Sequence, residues 1–451
     1  MEQSIYKQFW RYTLPTIVAM LVNGLYQIVD GIFIGHYIGA DGLAAINLAW
    51  PIVGSVLGLG MMIGVGTGAI ASIWQGEERI EDAKTIIASS MVFIVFLAPI
   101  ISFSLMEFSP FLLRSQGAEG VVFDMALEYV QVLYYASPIV LTSFAIPFLL
   151  RNDNRPNLAT ILMVVGALTN IALDYVFIVL LDWELLGAAI ATSIAQSVVA
   201  VIGLSYFFSP FATLRIRLKH FSLDWEAMLR ISGMGASSFF MYAYGCTMVA
   251  LHNWMFSVHS NLLVVGAYAI VGYIVTIYYF VAEGIANGMQ PLVSFNYGAQ
   301  RHNNVYRLLK IAMATAVIGG IVFSVLVNVF PQGIVSIFNG TDPALQQEAI
   351  VGIRLHLFAV FLDGFIVVAS AYYQALGESK KAVMITVGNI VIQLPFLFVL
   401  PGYFGVDGVW MAFPLSNIAL SGLIFFVLLR DVKLSPSKTA LRLRQETSAA
   451  V

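Results

Sequence analysis

The chain is 451 residues long, with 59% hydrophobic and only 10% charged residues, whereas a water-soluble domain carries roughly a quarter charged residues. That balance excludes water as the main solvent, and no nucleic-acid partner is expected. The net charge of −3 discriminates little, because in a membrane protein the placement of charges matters more than their sum.

Apolar runs of eighteen or more residues recur from end to end, each long enough for the ~20 residues of a bilayer-spanning helix. Backbone groups in lipid must be paired within the element, so the choice is helices or a closed barrel. A barrel would alternate in polarity over ~10-residue segments, and these runs do not. The spans expected in chain order are 13–37, 43–73, 85–106, 125–150, 157–181 and 185–208 in the first half. In the second half they are 227–256, 262–295, 306–330, 350–376, 382–401 and 405–430. The opening stretch MEQSIYKQFWRYTLP has scattered charges and no small-residue cleavage site, so the first helix is expected to be its own insertion signal. Pro15 either lets that helix bend or marks its start. The single cysteine, Cys246, excludes an intrachain disulfide and any multi-cysteine metal site.

With these spans, all but two of the 22 Lys and Arg residues fall on the side shared by both termini, the exceptions being Arg114 and Arg354. The bias predicts cytoplasmic termini and an even number of crossings, in a multi-pass plasma membrane protein of the bacterial inner-membrane type.

The chain aligns with itself. A slide of 222 residues sets GVGTGAIASIWQGEER, 64–79, against ANGMQPLVSFNYGAQR, 286–301, so that Gly66 meets Gly288, Ser72 meets Ser294, Gly76 meets Gly298 and Arg79 meets Arg301. Slides of 221 and 223 align LGAAIATS, from Leu186, with DGVWMAFP, from Asp407, and LLRNDN, 149–154, with YYQALG, 372–377. Near-constant offsets over three blocks imply two homologous halves in the same orientation. The expected class is all-α, a polytopic membrane protein of twelve transmembrane helices in two six-helix lobes. Residues 1–208 form the N-terminal lobe, 209–226 a basic cytoplasmic linker with Arg215, Arg217, Lys219 and His220, 227–430 the C-terminal lobe and 431–451 a cytoplasmic tail. A substrate path between such halves is the usual arrangement.

Charged side chains inside a membrane helix cost at least ~2.5–3.5 kcal/mol each and are functional candidates. In the first half these are Asp30 and Asp174. Tyr26 precedes Asp30 by four residues and Asn170 precedes Asp174 by four, so each pair shares one helix face. By the spans above, Asp30, Asp174 and Thr192 each lie about seven residues from an exofacial helix end, roughly 10 Å deep at 1.5 Å per residue. Two carboxylates, an amide oxygen, a hydroxyl and a phenol at one level suit either a proton held on a buried carboxyl or a sodium ion on hard oxygen ligands, with Asp30, Asn170, Asp174 and Thr192 as the candidate sodium ligands. Interhelical hydrogen bonding alone is the bland alternative. In the second half the buried acids are Glu283 and Asp363, and Glu283 could equally face water or a neighbouring helix.

Other motifs carry less. GVGTG at 64–68 follows no strand and reads as close helix packing. No GxxxxGK[ST] occurs, and the six histidines show no metal-ligand pattern.

The residues resemble the multidrug and toxic compound extrusion (MATE) family over 10–430. The likeness rests on LPTIVAMLVNGLYQIVDGIFIGHYIGADGLAAINLAWPI, on NIALDYVFI followed by LLGAAIAT, and on GMQPLVSFNYGAQR. It implies a V-shaped pair of lobes, alternating access, and export of amphipathic organic cations by antiport with protons or sodium ions, without a cofactor. It also implies a cation-coupling hub matching Tyr26, Asp30, Asn170, Asp174 and Thr192, and an acidic role for Asp363 ahead of YQALG. Aromatic and Met residues that the family places around its cleft, including Tyr135, Tyr273, Met241 and Met289, are candidates with Asp363 and Glu283 for substrate contact, since aromatic faces attract cations and Met adapts to varied shapes. The stretch GASSFFMYAYGCTMVAL lacks the glutamate that some members carry in the seventh helix, which puts a sodium site in the C-terminal lobe in doubt. The expected partners are small organic cations and membrane lipid, with the chain working as a monomer. The rival readings are a lipid-linked precursor flippase or metabolite exporter of the same superfamily, an intramembrane enzyme, and a channel. A flippase cavity would be basic, and an enzyme would need a nucleophile with its base or a metal cluster.

Overall fold

The computed structural model describes residues 4–260, 262–338 and 342–449. The described residues form fourteen α-helices and no strand. In the N-terminal half these are α1 (Ile5–Phe33), α2 (Ala40–Gly76), α3 (Ile80–Ser115), α4 (Gly120–Asn152), α5 (Pro156–Asp174) and α6 (Glu184–Phe208). In the C-terminal half they are α7 (Trp225–His259), α8 (Leu262–Gly298), α9 (His302–Val329), α10 (Pro331–Phe338), α11 (Pro343–His356), α12 (Phe361–Ala375), α13 (Ser379–Phe404) and α14 (Val406–Ala449).

Ten of these helices are long and apolar enough to cross a membrane, and α11 with α12, bent by 51° at the break between them, makes an eleventh. The remaining expected crossing is α7, which has the length at 35 residues. Its buried Ser237, Ser238 and His252 lower the hydropathy because they face protein rather than lipid. Two features differ from the expected spans. The short helix α10 lies between the ninth and tenth crossings, started by Pro331, whose fixed φ suits a first helical turn. The span expected at 350–376 is interrupted at 357–360, so Asp363 sits in the first turn of a new helix rather than in the middle of an old one. A carboxylate there complements the helix dipole.

Interior prolines are tolerated because neighbouring groups take up the freed carbonyls. Pro15 lies ten residues inside α1 rather than at its start, and its own carbonyl accepts from Thr160 Oγ1 of α5 at 2.9 Å. Two helix starts are fixed by side chains. Asp224 accepts from the amides of Glu226 and Ala227, and Asp342 from those of Ala344 and Leu345, as N-capping requires.

The repeat is visible in the backbone. The non-glycine residues Glu78, Asn154 and Glu184 have left-handed φ of 64°, 63° and 48°, and Gln300, Gly377 and Gly405 have 57°, 79° and 58°. These pairs stand 222, 223 and 221 residues apart, the offsets of the three sequence blocks. The stretch between α6 and α7 is folded against the helices. Leu214 and Ile216 are buried, and Lys219 Nζ donates to Glu81 Oε2 at 2.7 Å. Asp153, between α4 and α5, accepts from Tyr206 Oη and from the amides of Thr213 and Leu214 at 2.6, 3.0 and 2.7 Å. Burial pushes its carboxyl above the ordinary range against the pull of those bonds.

The lobes meet through small residues that let backbones approach. A Cβ on Gly284 or Gly288 of α8 would lie 2.6 Å from the Cα of Ile17 or Thr13 of α1. The equivalent contact on the other side, Gly66 of α2 against Gly235 of α7, follows from adding and subtracting 222. Gly76 and Gly298, which are each other's counterparts, pack where the two halves cross. The outermost close approach is Gly54 with Cys246. Beyond it, Ile32 of α1 and Tyr273 and Ile277 of α8 are exposed, and Gly31 and Gly272 have open space beside them. The V is therefore closed at the end that carries the N-terminus and open at the other.

Candidate functional site

α1 and α5 pack side by side, and each gives way to a π turn just after its carboxylate: Ile34–Ile38 follows Asp30, and Tyr175–Leu180 follows Asp174. Such turns widen a helix by one residue per turn and recur at functional sites. Here they end the regular hydrogen bonding beside two acidic side chains. The carboxyl groups of Asp30 and Asp174 come within hydrogen-bonding reach of each other. Asp174 is fully buried and Asp30 half-buried, so Asp30 stands between its partner and the open space.

That space is a cavity lined by Tyr26, Gln27 and Asp30 of α1, Trp50 of α2, Tyr129 and Leu133 of α4, and Thr192, Ser193 and Gln196 of α6, among others, with no Lys or Arg. Asn170 Nδ2 donates to Thr192 Oγ1 at 3.1 Å. Its amide oxygen is thereby left free. Asn170 Oδ1, Asp30 Oδ1 and both Asp174 oxygens are buried without a hydrogen-bond partner. Unsatisfied buried acceptors are costly, and the two carboxyl groups within reach of each other are a pair that a proton or a small hard cation satisfies. The donor set thus fits a cation.

All five residues expected at this hub are brought together. Tyr129 was not anticipated, although it neighbours Asp30, Tyr26 and Asp174 and reaches Thr192. Neither was Gln196, whose buried oxygen has no partner. Gln196 lies four residues after Thr192, and that spacing on one helix face was the available signal. Tyr129 gave none, because a lone tyrosine in an apolar run is usually core.

The residues expected at the substrate cleft are dispersed. Tyr135 is 80% exposed and lines an outer groove between α3 and α4 with Phe103 and Met106. Met289 is fully buried in the core of the C-terminal lobe and Met241 packs against that core. Tyr273 is half-exposed and stacks on Phe338. Asp363 is buried beside Tyr244, Tyr278 and Tyr279. Glu283 is buried too, accepting from Asn287 Nδ2 at 3.4 Å and facing the charge of Arg151 from the other lobe. Arg151, which the sequence puts on the side shared by both termini, is only 1% exposed. Its guanidinium lies over the Phe148 ring, an arrangement that keeps a cation in a dry place.

Two lobes of membrane-crossing helices, sealed on each other at one end and open at the other, with a cavity lined by Asp30 inside the N-terminal half, define a helical membrane transporter. The family model described as MatE matches residues 15–176 and 232–399, and the chain belongs to that family, the MATE transporters, which are not enzymes. "Multidrug export protein MepA" of Staphylococcus aureus is 25% identical over 436 residues, covering 95% of this chain and 95% of the relative. The protein of the same description from Staphylococcus saprophyticus is 24% identical over 433 residues, with 95% of each covered. Among solved structures, the MATE multidrug transporter DinF-BH, solved as a complex, has a TM-score of 0.88 at 28% identity, covering 95% of this chain and 97% of that one. A MATE family multidrug resistance transporter in its outward-facing conformation has a TM-score of 0.90 at 24% identity, covering 97% of both chains, a likeness of fold alone.

Proposed function

We propose that the chain exports amphipathic organic cations in antiport with protons or sodium ions. The observation that carries this reading is Asp30, which lines a cavity without Lys or Arg and has the buried carboxyl of Asp174 within reach behind it. Two facing carboxyl groups out of water bind a cation or a proton far better than they tolerate two bare charges. An ion arriving from the open end of the V neutralises the pair, changes how α1 and α5 pack, and shifts the lobes between two arrangements. An ion shifts such an equilibrium only by binding one arrangement better than the other. The Lys and Arg distribution supports cytoplasmic termini, and with that orientation the open end faces outward and cargo leaves there. The multidrug export proteins that the chain resembles support the class of cargo.

The test uses membrane vesicles with imposed pH or sodium gradients and ethidium as a fluorescent cation. One of the two gradients is expected to drive transport, and Asp30→Asn is expected to abolish it while the protein still runs as a single species on size exclusion. Unimpaired ethidium transport by Asp30→Asn removes the carboxyl pair from the mechanism.

A further inference from the structure

The C-terminal lobe holds a pair of histidines that the carboxylate cavity does not use. His252 of α7 and His356 of α11 are buried, 1% and 4% exposed. Their rings meet edge to face with centroids 5.6 Å apart. Each ring is held through the same nitrogen: His252 Nδ1 lies 2.9 Å from the Met248 carbonyl and His356 Nδ1 2.9 Å from the Trp410 carbonyl. A carbonyl only accepts, so both Nδ1 atoms carry hydrogen and both Nε2 atoms, in the neutral ring, are bare acceptors. His252 Nε2 is buried with no partner. Around the pair stand Tyr268, stacked on His252 at 5.4 Å, Phe413, stacked on His356 at 4.7 Å, and Trp410, edge-on to His356 at 5.8 Å.

The location is not arbitrary. Adding 222 to Asp30 gives His252, and adding 221 to Thr192 and Ala189 gives Phe413 and Trp410, the same offsets that relate the left-handed backbone positions. The imidazole pair occupies in one lobe the place that the carboxylate cavity occupies in the other. We propose that His252 and His356 form a second proton-binding site, taking one proton between the two imidazoles. The proton adds to a bare Nε2 and the resulting imidazolium lies against the face of Tyr268 or of Phe413, which attracts a cation. A second proton is opposed by like charge a ring's width away. The groups that face the pair from the elements packed on it are few. Tyr268 comes from α8, and Tyr244 of α7 neighbours both Tyr268 and Asp363 of α12 while donating to Gln393 of α13 at 2.7 Å. Glu348 of α11 accepts from Trp410 Nε1 at 3.4 Å. Arg354 and Asp407 are exposed.

Histidine NMR tests this directly and needs neither substrate nor gradient, so the result stands whether or not the chain exports drugs. Protein in lipid nanodiscs is labelled at its six histidines and titrated from about pH 8 to 5, through the unperturbed imidazole range near 6.5. His252→Gln and His356→Gln assign the signals, with His252→Phe and His356→Phe, which keep the stacking, serving where a Gln variant fails to fold. The pair is expected to titrate in concert, each ring moving about half its full range, and the surviving ring of a single variant to take the whole proton in one step. Rings that keep the neutral Nδ1–H form throughout, or that each titrate fully and independently, overturn the proposal.

Discussion

Adding a methyl group at Gly288 should shift the lobes between their arrangements. The new Cβ would stand 2.6 Å from Thr13 Cα, 3.0 Å from Thr13 Oγ1 and 3.1 Å from Thr13 N. Carbon atoms in contact prefer roughly 3.5–4.0 Å, so α1 and α8 must part by about 1 Å, and two of the three obstacles cannot rotate away. Overpacking of this kind costs about 1–3 kcal/mol. The cost applies only while the terminal end of the V is closed, so Gly288→Ala should favour a state in which that end is open by about 5–150-fold. Pulsed EPR on spin labels at Arg79→Cys and Arg301→Cys, in a Cys246→Ala background, reads the separation at that end. The parent protein should give one short distance, and Gly288→Ala a second, longer population. Gly272→Ala on the same helix has nothing within 4 Å and should change neither distance. A distance distribution unaltered by Gly288→Ala, with the protein merely less stable, would refute the view that this contact closes a gate.

Four further outcomes are expected. Thr192→Val deprives Asn170 Nδ2 of its acceptor at about 1 kcal/mol, which should raise the proton or sodium concentration for half-maximal transport roughly fivefold without loss of folding. Asp153→Ala removes the acceptor of the buried Leu214 amide and of the Thr213 amide, while Tyr206 Oη keeps the Phe211 carbonyl, and should cost about 1–3 kcal/mol in thermal unfolding, with Asp153→Asn costing less. Asp224→Ala removes the cap of α7, about 1 kcal/mol, a small drop in Tm with transport unaffected. Asp30→Asn combined with Gly288→Ala should be non-additive in the EPR population, because α1 carries both the carboxylate and the Thr13 contact; strict additivity would mean that the cavity and the gate do not communicate through this helix.

Much of this architecture was legible because lipid imposes strong rules on sequence. The apolar runs, the lysine and arginine bias and the 222-residue offset each follow from physics that leaves few alternatives. Tyr26 with Asp30 and Asn170 with Asp174 stood out because polar groups at i, i+4 spacing in apolar helices have few bland explanations, and Thr192 by lying at the same depth. The break before Asp363 left no mark, since HLFAVF contains neither Gly nor Pro and only tertiary packing bends it. Tyr135 and Met289 illustrate the converse. Aromatic and Met residues are equally at home against lipid, in a core or around a cavity, and nothing in their spacing distinguishes an exposed outer groove from a sealed interior.

The lobe interface explains why a weak ligand such as a proton could govern it. A direct polar link at the seam is the bond from Asn152 Nδ2 to Gln290 Oε1 at 3.3 Å, and among the described residues no salt bridge joins the lobes. At Gly66, Gly76, Gly235, Gly284, Gly288 and Gly298 the seam is packed directly against backbone, a contact that is either fully made or lost once helices part by an ångström or two. An interface of this kind has two arrangements and little between them. The helix that supplies Thr13 and Ile17 to it also carries Asp30, and between those two residues lies Pro15, whose carbonyl is held by Thr160 of α5. Asp174 ends that same α5. Neutralising the carboxyl pair therefore acts on the two helices whose mutual packing fixes where α1 meets α8, and a change of a few kcal/mol at the cavity is comparable with what the glycine contacts contribute.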